Sequence, residues 1–181
     1  MNQALQKNSD LFSTNTVLIV GLGVYKEGSG ISATLFFARH GARVIVNDVK
    51  AEELLDENAK IIKQYENVET VFGHHDISLV DSADVIFQNP GVPDSHEMIK
   101  YARKKKKPII NDWTLFFLMP KITCVGVTGT RGKSTTTSLL YEMVHRSHHD
   151  ARLSGNIGSS PLTFLEEYKQ EIVVAEFSSW L

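Results

Sequence analysis

Short unbroken apolar runs alternate with longer stretches of 3.6-residue periodicity through the first two-thirds of the chain. That alternation predicts strand–helix–strand units. Residues 16–20 (TVLIV) carry a short continuous apolar run, the pattern of a parallel strand covered on both faces. A turn, GLGVYKEGSG (21–30), leads into a helix with Ile31, Leu35 and Ala38 on one face, and Gly41 is placed to end it. RVIVN (43–47) is the second strand, with Asp48 at its carboxyl end. A charged surface helix over 51–65 and a short strand over 67–72 follow. ADVIF (83–87) is the next buried strand, closed by the rigid turn Gln88-Asn89-Pro90-Gly91-Val92-Pro93. A helix over 96–107, a short strand over 108–111 and an apolar helix over 113–118 complete a doubly wound unit.

The pattern then restarts. An apolar run (122–127) enters GVTGTRGKSTTT (126–137), and a helical pattern (134–146) leaves it. Strand, glycine-bearing turn, Lys-Ser and helix together make a site for polyphosphate. Backbone N–H groups and the helix dipole point at the anion, Lys133 adds a point charge, and the Ser134 hydroxyl stands where a magnesium ligand is wanted. Val127 occupies the slot of the first glycine in the strict phosphate-loop pattern, flanked by Gly126 and Gly129. LSGNIG (153–158) reads as a turn centred on Asn156. IVVA (172–175) reads as a buried strand carrying Glu176 at its carboxyl end, beside the phosphate loop. A carboxylate there can hold magnesium or orient a nucleophile.

Composition removes several alternatives. A net charge of -2 with 22% charged residues favours neither nucleic acid nor an anionic membrane. No apolar stretch is long enough to span a bilayer, and the polar start MNQALQKNSD lacks a signal peptide's apolar core. The single cysteine, Cys124, lies inside an apolar run, which fits packing in a reducing cytoplasm.

Other candidates carry less. Gly21, Gly23 and Asp48 fit a dinucleotide fingerprint, but Tyr25-Lys26-Glu27 push Gly28 and Gly30 too far along for the usual grip on a pyrophosphate. His74 and His75 read as polar loop residues. His145 and His149 would be one helical turn apart if the helix continued, but no third ligand follows, and with His148 they are read as surface residues. The basic run 103–107 closes a helix, where the macrodipole favours cations.

GVTGTRGKSTTT, then LSGNIG, then VVAEFSSW resemble the central domain of the Mur ligases. GLG…GSGISATLFFARHGARVIVND, the NPGVP turn and Asn111-Asp112 resemble the N-terminal domain of the D-glutamate-adding branch of that family. The resemblance implies a Rossmann-like, parallel-sheet UDP-sugar-binding domain over 1–119 and the start of a P-loop-type ATP-binding central domain over 120–181. It further implies ATP and Mg2+ as cofactors, and UDP-N-acetylmuramoyl-L-alanine and D-glutamate as substrates of cytoplasmic peptidoglycan precursor synthesis. Carried over, Gly129, Thr130, Arg131, Gly132, Lys133, Ser134 and Thr135 contact ATP, with Lys133 and Glu176 catalytic and Ser134 and Glu176 on the metal. Gly23, Val24, Asp48, Asn89, Pro90, Gly91 and Asn156 contact the UDP-sugar. Arg131 stands where the family commonly has Asn or His, and Asn89 where it commonly has Ser. The family's proteins continue further, so the expectation is a truncated or split chain. It would be inactive alone and completed by a separate chain, with an exposed edge and an uncovered face after residue 121. The alternatives are a non-catalytic nucleotide-binding fragment, another member such as the L-alanine-adding enzyme, and an NAD-dependent oxidoreductase.

Overall fold

The computed structural model describes residues 15–118 and 122–178. The boundary expected at Met119-Pro120, the polar N-terminal stretch and Ser179-Trp180 lie outside the described residues. Two parallel sheets form. The first has five strands in the order β3-β2-β1-β4-β5, and the second has three in the order β6-β8-β7.

In the first sheet, β1 (Thr16–Val20) pairs with β2 (Arg43–Asp48) on one side and β4 (Val85–Gln88) on the other. β3 (Val68–Phe72) and β5 (Ile109–Ile110) close the two edges. The continuous apolar run of β1 has its predicted cause: Val17 through Val20 are all fully buried, alternating between two cores. Val17 and Ile19 face the core that includes α1 (Ser29–Arg39) and α2 (Glu52–Ile62). Leu18 and Val20 face the one built by α3 (Leu79–Ser82) and α4 (Glu97–Lys104).

The helix α1 is buried more widely than a single amphipathic stripe. Phe36 and Phe37 are buried while Leu35 is only partly so, because α1 is covered by the sheet on one side and by residues 161–165 on another. Removing the Phe37 ring would cost about 3–5 kcal/mol. The helix α5 (Asp112–Phe117) opens with a capping box in which Asn111 Oδ1 accepts from the Thr114 amide at 2.8 Å.

The second sheet contains β6 (Thr123–Val127), β7 (Ala151–Gly155) and β8 (Ile172–Glu176). β7 corrects the sequence reading, which took 153–158 as a turn throughout. Arg152, Ser154 and Gly155 disguise a short edge strand that pairs in parallel register with β8, and the turn proper is 156–158. The helix α6 (Lys133–Arg146) packs across β8 and β7, with Thr137 buried beneath it.

The expected uncovered face is present only in part: β8 is buried on both faces, while β6 keeps Thr123, Val125 and Gly126 exposed. Val173 and Ala175 of β8, with partly buried Cys124 and Phe177, join the same core as β1 and α1, bridged by Trp113, Phe116, Phe164 and Tyr168. Trp113 meets Phe177 at 4.6 Å between ring centroids, and Phe116 meets Phe164 at 5.8 Å. The residues after 121 therefore draw on a core they could not build alone. What stays exposed is the β6 edge at Val125 and the outer face of α6 at Leu139 and Met143. No helix among the described residues is long and apolar enough to cross a membrane.

Candidate functional site

Open parallel sheets bind ligands at the carboxyl ends of their strands, where the strand order reverses. In the first sheet that point lies between β1 and β4. The turn after β1 and the Asn89-Pro90-Gly91 turn after β4 meet there. Asn89 Nδ2 donates to the Gly21 carbonyl at 3.0 Å, and Asn89 Oδ1 accepts from the Gly91 amide at 2.9 Å. Pro90 and Gly91 are exposed at the lip, as are Val24 and Tyr25 of the opposite turn.

Asp48 is placed differently from a free ligand-binding carboxylate. Its Oδ2 accepts from the Leu22 and Gly23 amides at 2.9 and 3.1 Å, and its Oδ1 from the Lys50 amide at 2.9 Å. Two amides of the glycine turn thus already face a carboxylate of the same chain. The late glycine nevertheless does the third glycine's work. A Cβ on Gly30 would lie 2.2 Å from the Gly21 carbonyl oxygen, so only glycine lets α1 press against the turn. The extra residues between bulge outward and are held by α2. Asn58 Nδ2 donates to the Gly23 and Tyr25 carbonyls at 2.8 and 3.2 Å, and Lys26 pairs with Glu57 at 2.6 Å.

At the second sheet, the register aligns Val127, Glu176 and Gly155 across β6, β8 and β7. The phosphate-loop residues leave β6 directly after Val127. Gly132, at φ 74, caps α6 without any side-chain hydrogen bond, so the first helical amides are not satisfied by a cap. Thr130, Arg131, Ser134 and Thr135 are exposed, and Gly129 and Lys133 are half-buried. Glu176 is only 5% exposed. Its Oε1 accepts from Asn156 Nδ2 at 3.4 Å, while Oε2 is buried with no hydrogen-bond partner. Gly155 permits this approach: a Cβ there would stand 2.2 Å from the Glu176 carbonyl oxygen. The Asn156 amide donates to that same carbonyl at 3.0 Å. Asn156, Glu176 and the start of the loop are therefore brought together, while Gly23, Val24, Asp48 and Asn89 gather at the other sheet.

A buried carboxylate oxygen without a partner is costly unless something positive reaches it. An Mg2+ ion is a hard oxygen-seeking cation, a kind of partner that the orphaned Glu176 Oε2 would accept. No cluster of three or more His, Cys, Asp or Glu side chains suited to a metal occurs among the described residues. The helix α6 ends at Arg146 and His148 turns to φ 65, so His145 and His149 do not share a helical face. The basic run is engaged locally: Arg103 pairs with Asp94 and Lys105 with Asp81, both at 2.8 Å, and Lys107 donates to the Ala83 carbonyl. His75 lies in the loop after β3, as expected, and is half-buried. Its ring bonds Asn47 Oδ1 at 2.8 Å and lies 4.3 Å from the ring of His96.

Sequence reasoning assigned no role to Asp112, Ser29, Ser160 or Asn58. Asp112 is 2% exposed, and its Oδ2 accepts from the Ser29 and Ser160 hydroxyls at 2.5 and 3.0 Å. Burial pushes its carboxyl above the ordinary aspartate range, against the pull of those hydrogen bonds. For Asn58 a signal existed: an amide among Leu55, Ala59 and Ile62 on the buried stripe of α2.

Residues 15–111 match the family model "Mur ligase MurD-like, N-terminal domain". The chain is 35% identical over 165 residues to a UDP-N-acetylmuramoylalanine–D-glutamate ligase of Borreliella burgdorferi, covering 90% of this chain and 35% of that protein. It is 35% identical over 178 residues to the same-named ligase of Geobacillus kaustophilus, covering 96% and 38%. The chain thus spans somewhat over a third of the length of these relatives. Among solved structures, the UDP-N-acetylmuramate:L-alanyl-gamma-D-glutamyl-meso-diaminopimelate ligase of Neisseria meningitides superposes with a TM-score of 0.53 at 17% identity, over 90% of this chain and 52% of that one. A match over more than half of its residues, in a Rossmann-like fold, makes this chain a member of the MurD-like Mur ligase family.

Proposed function

We propose that this chain supplies the substrate- and nucleotide-binding part of an ATP-dependent ligase that adds D-glutamate to UDP-N-acetylmuramoyl-L-alanine in cytoplasmic peptidoglycan precursor synthesis. The observation that carries the reading is the buried, half-partnered Glu176 at the carboxyl edge where the phosphate loop begins. The names of the relatives support the substrate pair. In this reading residues 1–119 form the UDP-sugar-binding unit and 120–181 the start of the ATP-binding unit. Gly23, Val24, Asn89, Pro90 and Gly91 border the UDP-sugar, with Asp48 shaping the turn from behind.

The reaction makes an amide from a carboxylate. The substrate carboxylate oxygen attacks the γ-phosphorus of ATP and ADP leaves. The D-glutamate amine then attacks the acyl phosphate, and inorganic phosphate departs as the amine loses a proton. Amides of Gly129 to Thr135 would cradle the phosphates, and Lys133 would bring a cation to the outer ones. Ser134 Oγ and Glu176 Oε2 would hold Mg2+, which neutralises charge on the transferring phosphoryl group. Asn156, clipped to Glu176, would orient the UDP-sugar's reacting end toward it. An NAD-dependent oxidoreductase is disfavoured because residues 15–111 match a MurD-like N-terminal domain and the relatives of the whole chain are named as ligases.

Equilibrium binding of ATP with Mg2+ tests the assignment. Lys133→Ala should weaken binding by about 1.5–3 kcal/mol, and Glu176→Gln should flatten its Mg2+ dependence. Equal ATP affinity in wild type and Lys133→Ala would make the loop purely structural.

A further inference from the structure

The glycine turn of the first sheet and the Glu176 edge of the second are joined by a short path of hydrogen bonds that the proposed chemistry does not use. Asp112, at the start of α5, accepts from Ser29 Oγ at the first residue of α1 and from Ser160 Oγ, 48 residues further along the chain. Its other oxygen accepts from the Trp113 amide at 3.1 Å. The Ser160 amide donates to the Glu27 carbonyl at 3.0 Å, so the bulged part of the glycine turn is bonded directly to the segment that follows β7. From Ser160 the path continues in one hairpin. The Ser154 hydroxyl donates to the Ser159 carbonyl at 2.7 Å, the Gly155 amide donates to the same carbonyl at 3.3 Å, and the Asn156 amide reaches the Glu176 carbonyl. Asp112, Ser154 and Ser160 are buried, so the middle of the path is shielded from water, while Glu27 and Asn156 at its ends are exposed.

A carboxylate is an unexpected choice for a shielded junction. Burying it costs more than burying a serine or an amide, and its raised pKa records that cost. What a carboxylate offers is an acceptor that takes several donors at once and lies favourably at the N-terminal end of α1. It thereby fixes α1, α5 and the Ser160 segment relative to one another at a single point.

We propose that Asp112 is a positioning residue whose bonds to Ser29 and Ser160 set the spacing between the glycine turn and the Asn156–Glu176 edge, and so couple ligand binding at the two sheets. This inference rests on the reading of those edges as UDP-sugar and ATP sites. Ligand at the glycine turn that orders Glu27 also orders Ser160, and through the hairpin it holds Asn156 against Glu176. Ligand at Glu176 acts along the same path in the other direction, as linkage requires.

The test uses the whole 181-residue chain with Asp112→Ala, Ser29→Ala and the conservative Ser29→Thr. Amide hydrogen exchange is followed at Ser160 and Asn156, with the β1 amides as an internal standard for the fold. Both alanine variants should exchange about tenfold faster at Ser160 and Asn156 with β1 unchanged, and Ser29→Thr should behave as wild type. Titration of ATP with Mg2+ in the presence and absence of UDP-N-acetylmuramoyl-L-alanine should show about fivefold tighter ATP binding with the UDP-sugar in wild type and Ser29→Thr, and no such difference in the alanine variants. Unchanged exchange at Ser160 in Asp112→Ala, or undiminished coupling, overturns the proposal. A wild type that binds no UDP-sugar instead overturns the ligand assignment, while exchange at Ser160 still decides whether Asp112 holds the junction.

Discussion

Gly30, in the second position of α1, stands so close to the turn after β1 that a Cβ on it would lie 2.2 Å from the carbonyl oxygen of Gly21 and 2.3 Å from that of Leu22. Both obstacles are backbone, so neither can rotate away. Gly30→Ala must therefore lift α1 off the sheet, disturbing Ile31, Phe36 and Phe37 beneath it. We expect a loss of about 3 kcal/mol or more, read as a fall in the thermal midpoint of at least several degrees. A midpoint within a degree of wild type would show that α1 does not press on the turn as described.

Asp112 makes a pH prediction with a definite sign. Its folded pKa lies above the unfolded aspartate value because burial dominates. Between those two values the folded state binds more protons, so this group's contribution to stability falls as pH rises through the window. Asp112→Asn removes that titration. The stability of wild type minus that of Asp112→Asn should therefore decrease from pH 4 to pH 7 in denaturant melts. A difference that grows with pH would mean that the hydrogen bonds, not burial, control this carboxyl.

His96 predicts the opposite slope, at higher pH. Its Nδ1 accepts from the Met98 amide at the start of α4, which requires an unprotonated nitrogen. Burial, then the neighbouring His75, lowers its pKa from the ordinary histidine value, against a smaller opposing pull from Glu97. The neutral ring is the folded form, so stability is lost as pH falls through the unfolded value near 6.5 toward the folded one. His96→Asn keeps a capping acceptor without titrating. Wild type should lose stability relative to His96→Asn between pH 7.5 and pH 5. Parallel melting curves for the two proteins across that range would dismiss the cap.

The elements that depend on nearby residues were legible in the sequence. TVLIV, RVIVN and ADVIF each carry an unbroken apolar run that becomes a buried strand, and the strand, glycine turn and helix over 123–146 could be read because their parts are contiguous. What could not be read depends on distant partners. Ser29 and Asp112 are 83 positions apart, and nothing in either neighbourhood names the other. Asp48 was legible as a strand-end acid but not as the acceptor of its own turn's amides, since only the fold sets their direction. β7 was missed because ARLSG has neither an apolar run nor clean alternation. It is a strand because β8 lies beside it.

The account rests on the first sheet holding a UDP-sugar and not a dinucleotide. Isothermal titration of the intact chain with UDP-N-acetylmuramoyl-L-alanine and, separately, with NAD tests it most directly. We expect binding of the UDP-sugar in the micromolar range, weakened about tenfold or more when Asn89→Ala releases the Gly21 carbonyl, and no heat with NAD. Micromolar NAD binding without a response to the UDP-sugar would contradict the account.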